Sequence, residues 1–187
     1  MPTRRPGGRA AAVVAAVHAA AADLLGDVGY HAFELTDVAE RAGVHKSTVY
    51  RRWPTKSALV SELLLTLTDH DDPVNDTGSL FGDLVAMLQD ISDLLHTPVA
   101  TALLRASATG DIDPATREAF WTERFRRSSV IVARAIDRGE VPEGTDARLL
   151  LEHASSPIYF RVLATGDAID QHDLHVFARR AIAALDR

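Results

Sequence analysis

The residues best equipped for chemistry lie between Leu35 and Lys56, in the stretch LTDVAERAGVHKSTVYRRWPTK. His45, Lys46, Ser47, Thr48, Tyr50, Arg51 and Arg52 crowd into one short run, and Lys56 follows just beyond it. The mixture suits a polyanion with readable edges. Lys and Arg neutralise phosphates, hydroxyl and amide donors fix orientation on a sugar–phosphate backbone, and Lys, Ser and Thr also reach base edges in a major groove.

That chemistry needs a scaffold, and the same stretch supplies one. Thr36 is placed to N-cap a short helix whose first turn carries Asp37, a carboxylate at the positive end of the helix dipole. Ala39 gives a bulk-free crossing point between two helices, and Gly43 can take the left-handed conformation that ends the first of them. Val44 and Val49 close a small core, which leaves the cationic run outward on a second helix. The pattern predicts a helix-turn-helix with a recognition helix for a DNA major groove. Lys46 and Thr48 are the candidates for base edges; Tyr50, Arg51 and Lys56 are the candidates for phosphate. Arg52 serves either role or points away. Thr36 holds a phosphate with its adjacent amide or is a simple cap.

Charge is divided to match. Residues 1 to 60 carry eight Lys or Arg and five Asp or Glu, a balance of +3, and the remainder is at −9, giving the chain's −6. A basic amino-terminal third on an acidic body orients the molecule on a polyanion. With 187 residues, 47% of them hydrophobic, the chain is long enough for one large core or one small and one larger domain. It has no cysteine, so disulfides, thiolate metal sites and cysteine nucleophiles are excluded.

Upstream, Arg4, Arg5 and Arg9 precede the apolar run Ala10 to Ala22, superficially a secretory signal. Val13, Val17, Ala21, Leu24 and Val28 instead fall at helical spacing, predicting an amphipathic helix ended by Gly26 and Gly29. The run is read as too short and too weakly apolar for a membrane span, and a cytoplasmic location is expected. The Arg-rich leader is either an arm reaching DNA or a solvated tail. Tyr30 and Phe33 are expected in the core, and Trp53 as an anchor at the end of the recognition helix.

Downstream the pattern is helical throughout. Thr55 caps a helix from Lys56, and a turn-rich acidic loop spans His70 to Ser79, including Asp71 and Asp72. Further helices are predicted from Leu80, from Pro98 to Gly110, from Pro114 to about Arg138, over Thr145 to Thr165, and from Asp170 to Leu185. The Thr145–Thr165 segment is apolar on more than one side, so it needs a second cover beyond its own domain. The fold class is all-α, about nine helices, with a DNA-binding domain over 1–55 and a larger helical domain over 56–187.

Phe33, Thr36, Val38, Ala39, Ala42, Gly43, Val44, Ser47, Thr48, Tyr50, Trp53, Lys56 and Leu59 together make the amino-terminal third resemble the DNA-binding domain of the TetR family of bacterial transcriptional regulators. The tract YRRWPTK, Tyr50 to Lys56, is similar to a recurrent form in that family. His45 departs from it, standing where a small serine-like cap is common, and Lys46-Ser47 stands near a position often held by glycine. His45 itself is therefore a candidate DNA contact.

The resemblance implies an all-helical body that dimerises through its last two helices and binds a small effector between the connecting helix and the body. The expected partners are then double-stranded DNA with a palindromic operator, an unknown small-molecule effector and a second copy of the chain. Two-fold symmetry independently supplies recognition helices one DNA turn apart. Candidate effector-site residues are Phe81, Met87, Leu88, Leu103, Phe120, Trp121 and Phe125, each also readable as plain core, with His96 or His153 as polar handles. Arg124, Arg126, Arg127, Arg134 and Arg138 recognise an anionic effector or form a solvated face. Candidate dimer residues are Leu151, Ile158, Tyr159, Val162, Phe177 and Ala181.

No cofactor or metal is expected. His172, Asp173 and His175 with Asp170 are ligand-type groups, but they sit where a helix start calls for polar caps. No nucleophile motif, phosphate-cradling glycine loop or zincin pattern occurs. The competing readings are a helical small-molecule-binding protein or hydrolase whose first helices do not read DNA, and a nucleoid-type binder without sequence preference.

Overall fold

The computed structural model describes residues 8–66 and 74–185. The expectations placed on Arg4, Arg5, His70, Asp71 and Asp72 lie outside the described residues. Among those described there are nine α-helices and no strand. Packing groups them into two compact units, with residues up to 66 joined by Pro98–Arg117 in the first, and 74–97 with 118–185 in the second. The first is therefore larger than the predicted 1–55 segment, because it takes in a connecting helix and a helix from mid-sequence.

In the first unit, α1 (Gly8–Val28) packs on α2 (Leu35–Arg41), α4 (Lys56–Thr66) and α6 (Pro98–Thr109). Its buried stripe is Val17, Ala20, Ala21 and Leu25. The predicted stripe used Leu24 and Val28, yet Val28 is exposed; the true face is set by three covering helices rather than one. Gly26 does not end the helix. It lies within α1, where a Cβ would come 3.3 Å from Val99 at the start of α6, so its role is close approach. Gly29, at φ 80°, makes the exit. Residues Ala10–Val28, with a mean hydropathy of 1.6, are long and apolar enough to cross a membrane by length and composition, contrary to the sequence reading. Only the Val17, Ala20, Ala21 and Leu25 stripe of this stretch is buried, against α2, α4 and α6.

The turn after α6 ties the unit together. The Asp111 carbonyl accepts from the Tyr30 hydroxyl at 3.3 Å and from Ser57 at 2.9 Å, and Asp113 accepts from Ser61 at 3.3 Å. Asp113 also caps the start of α7 (Pro114–Asp137) through the Thr116 amide.

In the second unit, α5 (Leu80–Leu95) packs against α8 (Ala147–Phe160) and α9 (Gln171–Ala183), which also pack on each other. Ser79 caps α5 through the Gly82 amide, and Asp146 caps α8 through the Leu149 amide, so the helix begins two residues after Thr145. Pro157 sits inside α8, which then widens into a π-helical turn over Arg161–Thr165 that ends at Gly166. A buried polar lock fixes the start of α5. Asp83 accepts from the Thr77 amide at 2.6 Å and from Arg138 at 3.1 Å, while Glu140 accepts from the Leu80 amide at 2.7 Å. Burial pushes the Asp83 carboxyl up, but the Thr77 and Arg138 hydrogen bonds outweigh it and hold it below the usual range.

Candidate DNA interface

The helix-turn-helix forms as two seven-residue helices, α2 and α3 (Lys46–Arg52). α2 starts two residues earlier than expected. Glu34 is its N-cap, with extended backbone, and its amide donates to Asp37 at 2.7 Å. Thr36 is thus already helical and does not cap; it is exposed, and its hydroxyl has no hydrogen-bond partner among the described residues. The Glu34/Asp37 spacing of a capping box was the available signal. Gly43 closes the turn at φ 65°, with the Val44 amide returning to the Ala39 carbonyl at 3.0 Å. Ala39 and Val49 are buried as expected, and Val44 is half-buried.

α3 is braced at both ends. At its start His45 is the N-cap, and its Nδ1 accepts from the Ser47 amide. At its end the buried Trp53 donates its indole N–H to Glu62 of α4 at 2.8 Å. Arg52 donates to the same carboxylate at 3.1 Å and lies over the Trp53 ring, and His18 of α1 approaches it at 3.1 Å. Burial raises the Glu62 carboxyl, but the Trp53 and Arg52 hydrogen bonds and the neighbouring charges leave it below the usual range.

These braces sort the predicted DNA contacts. Lys46 and Arg51 are exposed, and their side chains make no ion pair or hydrogen bond to any described residue. Tyr50 is exposed and Thr48 half-buried beside them. Arg52 is occupied by Glu62. Lys56 is more deeply committed: only 14% exposed, its ammonium donates to the Phe33 carbonyl at 2.7 Å and lies over the Tyr30 and Phe33 rings. The sequence reading put Lys56 on a phosphate; its position at the crossing of α4 and the Tyr30–Phe33 segment makes it a clamp within the unit. Glu62 and Glu34 were not singled out from sequence, because a carboxylate on a helix surface carries no local mark of its partners.

The result is a short cationic helix, capped, braced through its last turn and set on a glycine-closed turn. The family described as "Bacterial regulatory proteins, tetR family" matches residues 18–63, and "Tetracyclin repressor-like, C-terminal domain" matches 74–181, more than half the chain. The chain belongs to the TetR family of transcriptional regulators. Among relatives of this TetR-family regulator, the HTH-type transcriptional regulator AqdR of Rhodococcus erythropolis is 35% identical over 71% of the chain and 66% of its own length. The DNA-binding transcriptional repressor TetR of Mycobacteroides abscessus is 30% identical over 83% of the chain and 85% of its own length. The crystal structure of FadR from Bacillus subtilis in complex with stearoyl-CoA shares the fold at a TM-score of 0.66 and 16% identity, covering 91% of this chain and 96% of that one.

In the second unit of the TetR-family chain, Trp121 forms an aromatic cluster with Phe120, Phe125 and Tyr159, at ring separations of 5.1, 6.1 and 5.4 Å. Burial pushes the Tyr159 phenol up, and the Arg124 side chain, hydrogen-bonded to it, pulls the other way. Met87, Leu88 and Phe120 are core residues, and Phe81 is half-buried against His175. Leu103 belongs to the first unit, buried with α6. Arg134 and Arg138 are engaged with the 74–83 segment, and Arg126 with Glu123.

The predicted dimer residues lie largely inside their own unit. Leu151, Ile158, Phe177 and Ala181 are buried within their own unit, and Tyr159 and Val162 are half-buried. The unpartnered apolar stripe of α8 lies on its other side, where Leu149 is 47% and Phe160 63% exposed, with His153 between them. A cleft of about 350 Å³ beside that stripe is lined by His153, Pro157, Phe160, Phe177 and Arg180, among others. A sequence pattern apolar on two sides cannot tell which side faces inward.

Proposed function

We propose that this chain represses transcription as a homodimer on a palindromic operator and leaves it when a small-molecule effector binds. The observation that carries the reading is the sorting of the cations on and just after α3: Lys46, Tyr50 and Arg51 are offered outward, while Arg52 braces α3 through Glu62 and Lys56 is spent on the Phe33 carbonyl. Residues 1–55 read DNA, with Lys46 and Thr48 at base edges and Tyr50 and Arg51 at phosphates, and 56–187 sense and dimerise. The exposed Leu149–His153–Phe160 stripe is the surface that a second copy covers, giving two recognition helices one DNA turn apart.

The repressor role follows a relative of that name at 30% identity. An effector fits because FadR, sharing the fold, holds stearoyl-CoA, and this chain's Trp121 cluster offers aromatic contact. Such a ligand shifts a population only through differential affinity for the two states, a few kcal/mol sufficing. The protein works where the chromosome is, in the cytoplasm. Selection of binding sequences from random DNA, at two salt concentrations, tests the reading. A palindrome enriched at both, with affinity falling steeply as salt rises, is expected. Salt-dependent binding without an enriched palindrome points to a nucleoid-type binder, and no binding to a protein that does not read DNA.

A further inference from the structure

His45 departs from the family pattern, and its surroundings say what it does there. Its ring Nδ1 lies 3.3 Å from the Ser47 amide nitrogen and 2.7 Å from the Ser47 hydroxyl. A backbone amide only donates, so Nδ1 must accept. In the neutral ring the proton is then on Nε2. The Ser47 hydroxyl fits the same arrangement by giving its own proton to Nδ1. Nε2 has no partner among the described residues, and His45 is exposed at the start of the recognition helix.

We propose that His45, held in the Nε2–H tautomer by Ser47, donates a single hydrogen bond to a purine N7 in the operator's major groove, and that Ser47 positions the ring without touching DNA. The inference rests on the DNA-reading function proposed above. A serine-like cap would satisfy the same helix amide with its own oxygen and leave no donor over. An imidazole caps with one nitrogen and reads with the other. Every purine offers N7 and thymine offers O4 as an acceptor in the major groove, whereas cytosine presents a donor there, so one outward N–H disfavours cytosine at one operator position, and replacement of N7 itself distinguishes a purine contact from one to thymine. Ser47, its only proton committed to Nδ1, cannot also serve as a donor to a base.

The tautomer is read first, by nitrogen-15 NMR of the free protein with labelled histidine. A deprotonated Nδ1 and protonated Nε2 for His45, disturbed by Ser47→Ala, is expected; a predominant Nδ1–H form overturns the proposal without any DNA. The operator enriched by the wild-type protein is then remade with 7-deazapurines one position at a time. One position per half-site is expected to weaken wild-type binding about 5- to 10-fold, the size of one hydrogen bond. The same replacement should leave His45→Asn and His45→Ala unaffected. Ser47→Ala should weaken that position's discrimination in the wild-type background and do nothing further in His45→Ala. Replacement effects that persist in His45→Ala, or a His45→Ala loss equal on all sequences with a lower salt slope, as for a phosphate contact, overturn the assignment. In those outcomes the enriched palindrome still stands. Failure to enrich any palindrome sinks the DNA-reading function itself.

Discussion

Trp53, buried at the end of the recognition helix, donates its indole N–H to Glu62 on α4 at 2.8 Å. One carboxylate thereby connects the exit of the reading helix, through Trp53 and Arg52, to the connecting helix. Glu62→Ala leaves the indole N–H without an acceptor in a buried place and is expected to cost about 1–3 kcal/mol. Glu62→Gln keeps an acceptor and should cost less. Urea denaturation of the two variants separates them; equal losses would show that the hydrogen bond matters no more than the loss of bulk or charge.

Gly43 closes the turn between α2 and α3 at φ 65°, with open space where a Cβ would stand. The penalty for Gly43→Ala is therefore conformational alone, about 1–2 kcal/mol for an L-residue held left-handed. Thermal melting should show that loss, and DNA affinity should fall with it because α3 is hung from this turn. A variant as stable as wild type would mean that the turn relaxes.

The stripe on α8 and the core side of the same helix make opposite forecasts. If the proposed dimer forms through this stripe, Phe160→Glu is expected to sediment as a monomer with helicity intact, because the ring is 63% exposed in one copy. Ile158→Ala should lower folding stability by about 2–5 kcal/mol, the range for emptying a packed core site. A Phe160→Glu protein that remains dimeric at micromolar concentration would remove this stripe from the interface.

Asp83 sets an acid limb on stability. Burial opposes its charge, but hydrogen bonds from Thr77 and Arg138 lower its folded-state pKa below the unfolded value near pH 4. A carboxylate lowered in this way stabilises the fold above its unfolded pKa, and that contribution drains away as pH falls through the folded value. Glu62 acts in the same sense. The melting temperature should drop on acidification below about pH 5, and Asp83→Asn should flatten part of that drop. An unchanged pH profile in Asp83→Asn would contradict the lock around the 74–83 segment.

Much of this was legible in sequence because it depends on local rules. Gly43, Ala39 and Val49 mark a helix-turn-helix by spacing, and Thr55, Ser79 and Pro98 mark helix starts by capping chemistry. What was not legible depends on who covers whom. Leu25 rather than Leu24 faces inward because three helices enclose α1, and Gly26 serves a close approach of α6 from far along the chain. Lys56 and Arg52 look like phosphate binders until their partners Phe33 and Glu62 are in view. On α8, Leu151 and Leu149 are equally apolar neighbours, and only the packing decides which is spent inside.

The central claim is the division of cations on and after α3 into those that meet DNA and those that brace the helix. It is tested most directly by measuring operator affinity against salt for wild type, Lys46→Ala, Arg51→Ala and Arg52→Ala. Lys46→Ala should relax discrimination at one operator position by about 1–3 kcal/mol, as a base contact does. Arg51→Ala should lower the slope of log affinity on log salt by about 1, as a lost phosphate contact does, and Arg52→Ala should leave it unchanged. A slope lowered by Arg52→Ala as much as by Arg51→Ala, or unaltered operator binding in both Lys46→Ala and Arg51→Ala, would contradict it.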